Sequence, residues 1–200
     1  MSDEVGNPDA ISSATDEQLM VAFSRGSTEA FSELFARYKQ PVFGFFRRRL
    51  PDAEQAEELA QETFLAILRA SSRYEPRALF RAYLYAIGLK ILRAHRRKTA
   101  FRATFLGAKD RVREPASPNT ADAELFLRQA VAKLERTDRE ILLLREFEQL
   151  SYAEIAELLK LPVNTVRSRL FRARMALRDL LTAPLPKLHA GELTQSEESV

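Results

Sequence analysis

Apolar residues recur at steps of three and four along most of this chain, and only short β-branched runs interrupt them, so the pattern predicts helices almost throughout and no strands. Thr15-Asp16-Glu17-Gln18 has the form of a capping box and opens a first helix, which Gly26-Ser27 ends. A second begins near Thr28, with Phe31, Leu34, Phe35 and Tyr38 turned inward. Further helices are expected from about Pro41 to Leu50, from Asp52 to Ser71, and from Pro76 to Lys98 or slightly beyond, all packing as one bundle. Residues 99–122 change character. Gly107, Pro115, Pro118 and Asn119 gather there with little apolar period, as expected of a flexible linker. A helix from Ala121 to about Leu134 follows, and Thr137-Asp138-Arg139-Glu140 is expected to cap the next, which carries Ile141 to Leu144.

The last patterned stretch, Leu150 to Leu181, is the most specific. Ser151-Tyr152-Ala153-Glu154 fits a capping box, and Ile155, Leu158 and Leu159 give an apolar face. Pro162 cannot continue that helix but suits the start of another, so a break is expected near Lys160 to Pro162. Beyond it Val166, Leu170, Ala173, Leu177 and Leu180 form one packed stripe. Arg167, Arg169, Arg172, Arg174 and Arg178 lie off the stripe, with no acid between Thr165 and Arg178. A basic amphipathic helix alone can be a solvated face. A capped helix, a tight turn and then an arginine-studded helix make a helix-turn-helix, whose second helix enters the major groove, where guanidinium groups pair with guanine edges and phosphates.

The fold class expected is therefore all-α: two helical domains joined by a flexible linker, the second containing the helix-turn-helix. The boundaries are 1–14 for a disordered leader, 15–98 for the first domain, 99–122 for the linker, 123–182 for the second domain and 183–200 for a disordered tail with Pro184, Pro186 and acidic Glu192, Glu197 and Glu198. The 200 residues suffice for two modest cores, and a net charge of only +3 means that affinity for nucleic acid must come from uneven charge. No cysteine is present, which excludes disulfides and thiolate metal sites. No apolar run approaches the ~18 residues a membrane span needs, and no signal-peptide pattern opens the chain, so no membrane insertion and a cytoplasmic location are expected. His95 and His189 are isolated, glycine is too scarce for a nucleotide loop, and nothing resembles a nucleophile or metal cluster. No cofactor, metal or catalytic residue is expected.

Two further segments are polarised. Asp52, Glu54, Glu57, Glu58 and Glu62 lie on a stretch with no basic residue, which disfavours DNA and suits either water or a basic partner; Leu59 and Phe64 could supply an apolar anchor beside them. From Arg93 to Arg113 eight basic residues face Asp110 alone. Phosphate contacts scale with such charge without carrying sequence information. Just upstream, Phe80, Leu84, Ile87 and Ile91 make a packed stripe, Tyr83 could be core or stacking residue, and Tyr85 falls away from the stripe as an exposed candidate for stacking on unpaired bases.

Leu150-Ser-Tyr-Ala-Glu-Ile-Ala-Glu157, Pro162-Val-Asn-Thr-Val-Arg-Ser-Arg169 and Arg172-Ala-Arg174 together resemble the promoter-reading module of extracytoplasmic-function sigma factors of the sigma-70 superfamily. Ala56-Glu-Glu-Leu-Ala-Gln-Glu-Thr-Phe64 resembles the family's polymerase-clamp-binding helix, and Phe80-Arg-Ala-Tyr-Leu84 its -10 region, in the family's order over about residues 15 to 181. The resemblance implies a non-enzymatic sigma factor that binds core RNA polymerase and promoter DNA and has an anti-sigma factor as partner. It implies polymerase contacts at Glu58, Leu59, Gln61, Glu62 and Phe64. It implies capture of the melted -10 strand at Tyr83, Tyr85, Lys90, Arg93, Arg96, Arg97 and Lys98, and contact with the -35 duplex at Asn164, Thr165, Arg167, Ser168, Phe171 and Arg172; Phe171 could instead be core. Tyr83 stands where the family usually has tryptophan, Lys90 where asparagine is common, and Lys160 and Asn164 where glycine is frequent. Leu134-Glu135 stands where Leu-Pro is frequent. The alternative is a stand-alone helix-turn-helix regulator whose first 100 residues dimerise or sense a ligand; it accounts for the arginine helix but not for the acidic helix followed by the aromatic-basic segment.

Overall fold

A computed structural model describes residues 8–76, 79–106 and 121–182. Among these, the regular elements are all helical: α1 (Pro8–Ser13), α2 (Asp16–Ser24), α3 (Thr28–Arg47), α4 (Ala53–Ala70), α5 (Phe80–Leu106), α6 (Ala121–Lys133), α7 (Arg136–Glu146), α8 (Tyr152–Leu159) and α9 (Val163–Thr182), with a short 3-10 turn over Ser71–Arg73. The expected linker core and the tail fall outside the described residues, as do His189 and the first half of the leader.

Helices α2 to α5 pack around Met20, Leu34, Val42, Phe45, Phe46, Ile67, Leu84 and Leu92, each at most 1–2% exposed. The capping box at Thr15 forms as expected: its hydroxyl accepts from the Gln18 amide and the Gln18 side chain accepts from the Thr15 amide. Gly26 takes φ +106, a left-handed angle that breaks the chain between α2 and α3. Glu17 of α2 accepts a 2.8 Å bond from the Phe80 amide, so one helix supplies the acceptor that the start of another lacks.

Three boundaries differ from expectation. Pro41 does not start a helix but lies inside α3. It is exposed, and the buried Leu34 on one side with Val42, Phe45 and Phe46 on the other keeps the stripe in register across the missing amide. Helix α5 begins at Phe80 rather than Pro76 and runs to Leu106, so residues 99–106 belong to a helix and not to the linker. Within the expected leader, α1 docks on α3, where Arg37 donates to the Ser12 and Ala14 carbonyls at 2.7 and 2.9 Å while pairing with Asp16 and Glu33.

The second unit packs α6 to α9 about Ile141, Leu144, Leu150, Ile155, Val166 and Leu170, all at most 1% exposed. Its first expected cap is displaced. Helix α7 is capped by Glu135, whose carboxylate accepts from the Thr137 and Asp138 amides at 3.1 and 3.3 Å, and not by Thr137. The capping box at Ser151 and Glu154 forms as expected. Helix α8 ends at Lys160, which takes the left-handed φ 57, ψ 49 while Leu161 donates back to the Ala156 carbonyl. A side chain bearing Cβ is disfavoured there by about 1 kcal/mol relative to glycine. Lys160→Gly should accordingly raise the thermal midpoint by about 4–8 °C, read by circular dichroism. An unchanged midpoint would mean that glycine's extra freedom in the unfolded chain cancels the relief.

The two units meet at a charged seam. Arg49, whose side chain is 1% exposed, bonds Glu140 at 2.9 Å and Glu148 at 3.3 Å, and Arg48 bonds Glu148 at 2.8 Å. Arg49 stacks over the Phe45 ring and Arg48 over the Phe147 ring, at 3.8 and 4.3 Å. Burial alone lowers the pKa of Arg49; Glu148 and Glu140 outweigh it and raise it.

Candidate nucleic-acid interface

Helix α9 presents two opposed faces. Its stripe of Val166, Leu170 and Ala173 is at most 1% exposed, with Leu177 and Leu180 packed beside it. At about 100° per residue, Asn164, Thr165, Arg167, Ser168, Phe171 and Arg172 fall within an arc of about 160° on the other side. All are exposed except Thr165, which is half-buried. Phe171 is 65% exposed, so it is not a core residue; an aromatic ring left in water amid arginines is placed to meet an apolar base edge such as a thymine methyl. The first turn of α9 points free amides outward, a favourable end for phosphate.

The five arginines of this helix are not equivalent. Arg169 is held by Glu135 and Asp138 at 2.8 Å each, and Arg174 by Glu146 at 2.6 Å. Arg178 pairs with its neighbour Asp179. Arg167 and Arg172 have no ion pair among the described residues; Arg167 lies only over the Tyr152 ring at 5.8 Å. Sequence alone shows no acid between Thr165 and Arg178, but the acids that hold Arg169 and Arg174 come from α7 and its cap, across the fold.

On α5 the seven expected -10 residues divide. Tyr83, Lys90, Arg93 and Arg97 share an arc of about 80°, with Lys98 next to it. Lys90, Arg93, Arg97 and Lys98 are exposed. Tyr83 is half-buried, meeting Tyr74 edge-on at 5.2 Å, and both rings line a cavity of ≈ 580 Å³ that Glu154, Glu157 and Leu158 of α8 close from the other side. Tyr85 and Arg96 point the other way. Tyr85, expected to be exposed, is 3% exposed against Phe45, because the face of α5 that looks free in the sequence is covered by α3 and by the seam. Burial, followed by the Glu148 carboxylate, pushes its hydroxyl up to about 12. Arg96 is half-buried and donates to the Arg49 carbonyl at 3.3 Å.

On α4, Glu58, Gln61 and Glu62 are exposed, but Leu59 and Phe64 are 5% and 7% exposed and belong to the bundle core, Phe64 edge-on to Phe35 at 4.9 Å. They are packed into the bundle and not displayed beside the acids. The exposed apolar residues on that face are Leu65 and Leu68, 47% and 38% exposed, which lie with Glu58, Gln61 and Glu62 in an arc of about 120°. Their positions at Glu58 plus seven and plus ten carry the signal, had the helical wheel been centred on the acids. Among the described residues no group of His, Asp or Glu is arranged to hold a metal ion, and no helix is long and apolar enough to cross a membrane.

Residues 34–102 match the family model of sigma-70 region 2, and residues 127–177 match that of sigma-70 region 4. The chain is 35% identical to the RNA polymerase sigma-H factor of Pseudomonas aeruginosa over 176 residues, covering 81% of this chain and 91% of the relative. It is 30% identical to the ECF RNA polymerase sigma-E factor of Escherichia coli over 177 residues, covering 82% and 92%. Among solved structures, CnrH in complex with the cytosolic domain of CnrY is similar at 28% identity and TM-score 0.64, covering 83% of this chain and 96% of that one. The sigma factor RpoE of Bartonella quintana, solved with the anti-sigma factor NepR, shares the fold at 21% identity and TM-score 0.66, covering 78% and 99%. Two matched regions in order, an α5 with a basic face and an α9 with an exposed arginine-bearing face put the chain in one place: it belongs to the extracytoplasmic-function sigma factors of the sigma-70 family, non-enzymatic RNA polymerase subunits that direct promoter-specific transcription initiation.

Proposed function

We propose how this chain divides that task. Residues 15–106 form the unit that binds core polymerase and the melted -10 strand, and residues 121–182 the unit that reads the -35 duplex. Asn164, Thr165, Arg167, Ser168, Phe171 and Arg172 meet the -35 element, and the observation that carries this is the pair of uncommitted arginines on either side of an exposed phenylalanine. Tyr83, Lys90, Arg93, Arg97 and Lys98 hold the -10 strand. Arg96 and Tyr85 join them only if the seam parts. Glu58, Gln61 and Glu62 dock on the polymerase clamp, with Leu65 and Leu68 as apolar contacts. An anti-sigma factor is a partner, as the complex of the Bartonella relative suggests, and the chain works in the cytoplasm, where polymerase and chromosome are.

The experiment is run-off transcription with purified core polymerase on promoter fragments recovered from cells overexpressing the chain. Initiation at discrete sites is expected only when the chain is added. Glu58→Lys with Glu62→Lys should weaken association with core by about tenfold or more, because four units of charge are reversed on an exposed face. The melting temperature should stay within about 4 °C, since surface substitutions cost about 0.5 kcal/mol or less. Undiminished capture of core by the double variant would remove the clamp assignment.

A further inference from the structure

The middle of α7 is apolar all round. Ile141, Leu142, Leu143 and Leu144 occupy consecutive positions and are all buried, so at about 100° per residue they face both ways from the helix. On one side Ile141 and Leu144 enter the core of the second unit. On the other, Leu142 and Leu143 floor a groove of ≈ 280 Å³ whose walls are Leu127 and Val131 of α6, Phe147 at the end of α7 and Leu177 of α9. Two of the walls are poorly covered: Leu127 is 39% exposed and Phe147 51%. Arg128 and Arg139 stand at the rim, and Glu146, the acid beside them, is held by Arg174 at 2.6 Å.

The C-terminal segment of the chain matches this groove in reach, pattern and charge. Residues 183–200 lie outside the described residues and beyond the match to sigma-70 region 4. They leave from a wall of the groove itself, since α9 ends at Thr182, about 7.5 Å past Leu177 at 1.5 Å per residue. Pro184 and Pro186 cannot continue α9, and each biases the residue before it toward extended backbone. Backbone of the polyproline type repeats every three residues, which puts Leu185 and Leu188 on one side, and such segments suit grooves with an aromatic wall because little order is left to impose. At no more than ~3.6 Å per residue the two leucines lie within about 11 and 22 Å of Thr182. That is enough to turn back past Leu177 onto α6, which packs directly on α9. Beyond them Glu192, Glu197 and Glu198 outnumber Lys187, opposite in sign to Arg128 and Arg139.

We propose that residues 183–198 of this chain dock in the groove between α6, α7 and α9, with Leu185 and Leu188 against Leu143 and Phe147 and the glutamates toward Arg128 and Arg139. Leu177 belongs to the buried stripe of α9, so the docked segment leaves Arg167, Phe171 and Arg172 uncovered. The contact is internal to the chain and needs neither DNA nor polymerase, so it stands or falls apart from the assignments made above.

The chain has no tryptophan, so Phe147→Trp places a single reporter in the groove. In the full-length chain that indole should be shielded from acrylamide, and Leu185→Asp with Leu188→Asp should raise the quenching constant toward that of a chain ending at Thr182. A peptide of residues 183–200 added to the shortened chain should restore the shielding. The peptide carrying both aspartates should bind about tenfold or more weakly, because two leucines no longer leave water. Glu197→Lys with Glu198→Lys should weaken the peptide too, by a factor that shrinks as salt is raised. Equal quenching in the parent, the doubly substituted and the shortened chain, with helical content intact by circular dichroism, overturns the docking. Shielding that grows with protein concentration gives the groove to a second copy and overturns it as well. Amide hydrogen exchange over residues 142–147 repeats the test with Phe147 in place: exchange should be slower in the full-length chain than in the shortened one, and identical rates reject the proposal.

Discussion

Arg167→Ala in the polymerase-bound chain should cut the preference for a cognate -35 duplex over a scrambled one by about 5- to 150-fold, the range expected when one bidentate arginine-to-base contact worth about 1–3 kcal/mol is lost. Arg167 lies in the early part of α9, exposed; among the described residues its guanidinium has no ion pair and lies over the Tyr152 ring at 5.8 Å. Arg174→Ala is the matched control. That guanidinium is already spent on Glu146 at 2.6 Å, so its removal should leave the cognate-to-scrambled ratio within about twofold. Competition binding with both duplexes measures the two ratios side by side. If Arg167→Ala leaves the ratio where it was, the helix does not read sequence through that residue.

Phe46→Ala should cost about 3–5 kcal/mol, a large share of the roughly 5–15 kcal/mol that holds a domain together. The ring is fully buried, edge-on to Phe45 at 4.9 Å, and Gly88 of α5 lets a backbone approach it: a Cβ there would stand 3.4 Å from the Phe45 ring and 3.6 Å from Phe46. Truncation empties the junction of α3 and α5. Urea unfolding of the full chain should show two separated transitions in place of coincident ones, the first belonging to α2–α5, while the chain retains -35 binding because Ile141, Leu144, Ile155, Val166 and Leu170 form a separate interior. A single unshifted transition would contradict the packing described.

What the sequence made legible was local. Thr15 with Gln18 and Ser151 with Glu154 are capping boxes because each satisfies its own helix start within four residues, and the stripe of α9 follows from one helix's period. The misplaced elements were settled by distant partners. Pro41 suggests a break when read alone, but buried residues on both sides hold α3 through it. Thr137 looks like a cap, yet Glu135 accepts from the Thr137 and Asp138 amides and starts the helix two residues earlier, and it is itself fixed by Arg169 of α9. Leu59 and Phe64 are apolar residues beside acids in the sequence, and only the wheel of α4 separates them from Leu65 and Leu68 on the exposed side. Tyr85 failed for the same kind of reason at longer range, since Phe45 and Glu148, far away in the chain, cover its face.

The unequal partnering of the arginines on α9 has a thermodynamic side. Each phosphate that a cation neutralises releases condensed counterions and steepens the fall of log K with log salt by about 0.9. Arg169 and Arg174 already sit on carboxylates, and Arg178 shares its charge with Asp179. They displace few ions when DNA arrives, so the slope that this helix contributes is nearer the ~2 of Arg167 and Arg172 than the ~4.5 its arginine count suggests. Less of its affinity is sequence-blind adhesion to the backbone, and more depends on the match at the base edges. With α9 on the -35 duplex as proposed, release from a scrambled duplex is expected to be fast relative to release from the cognate one, because little sequence-blind attraction holds it there.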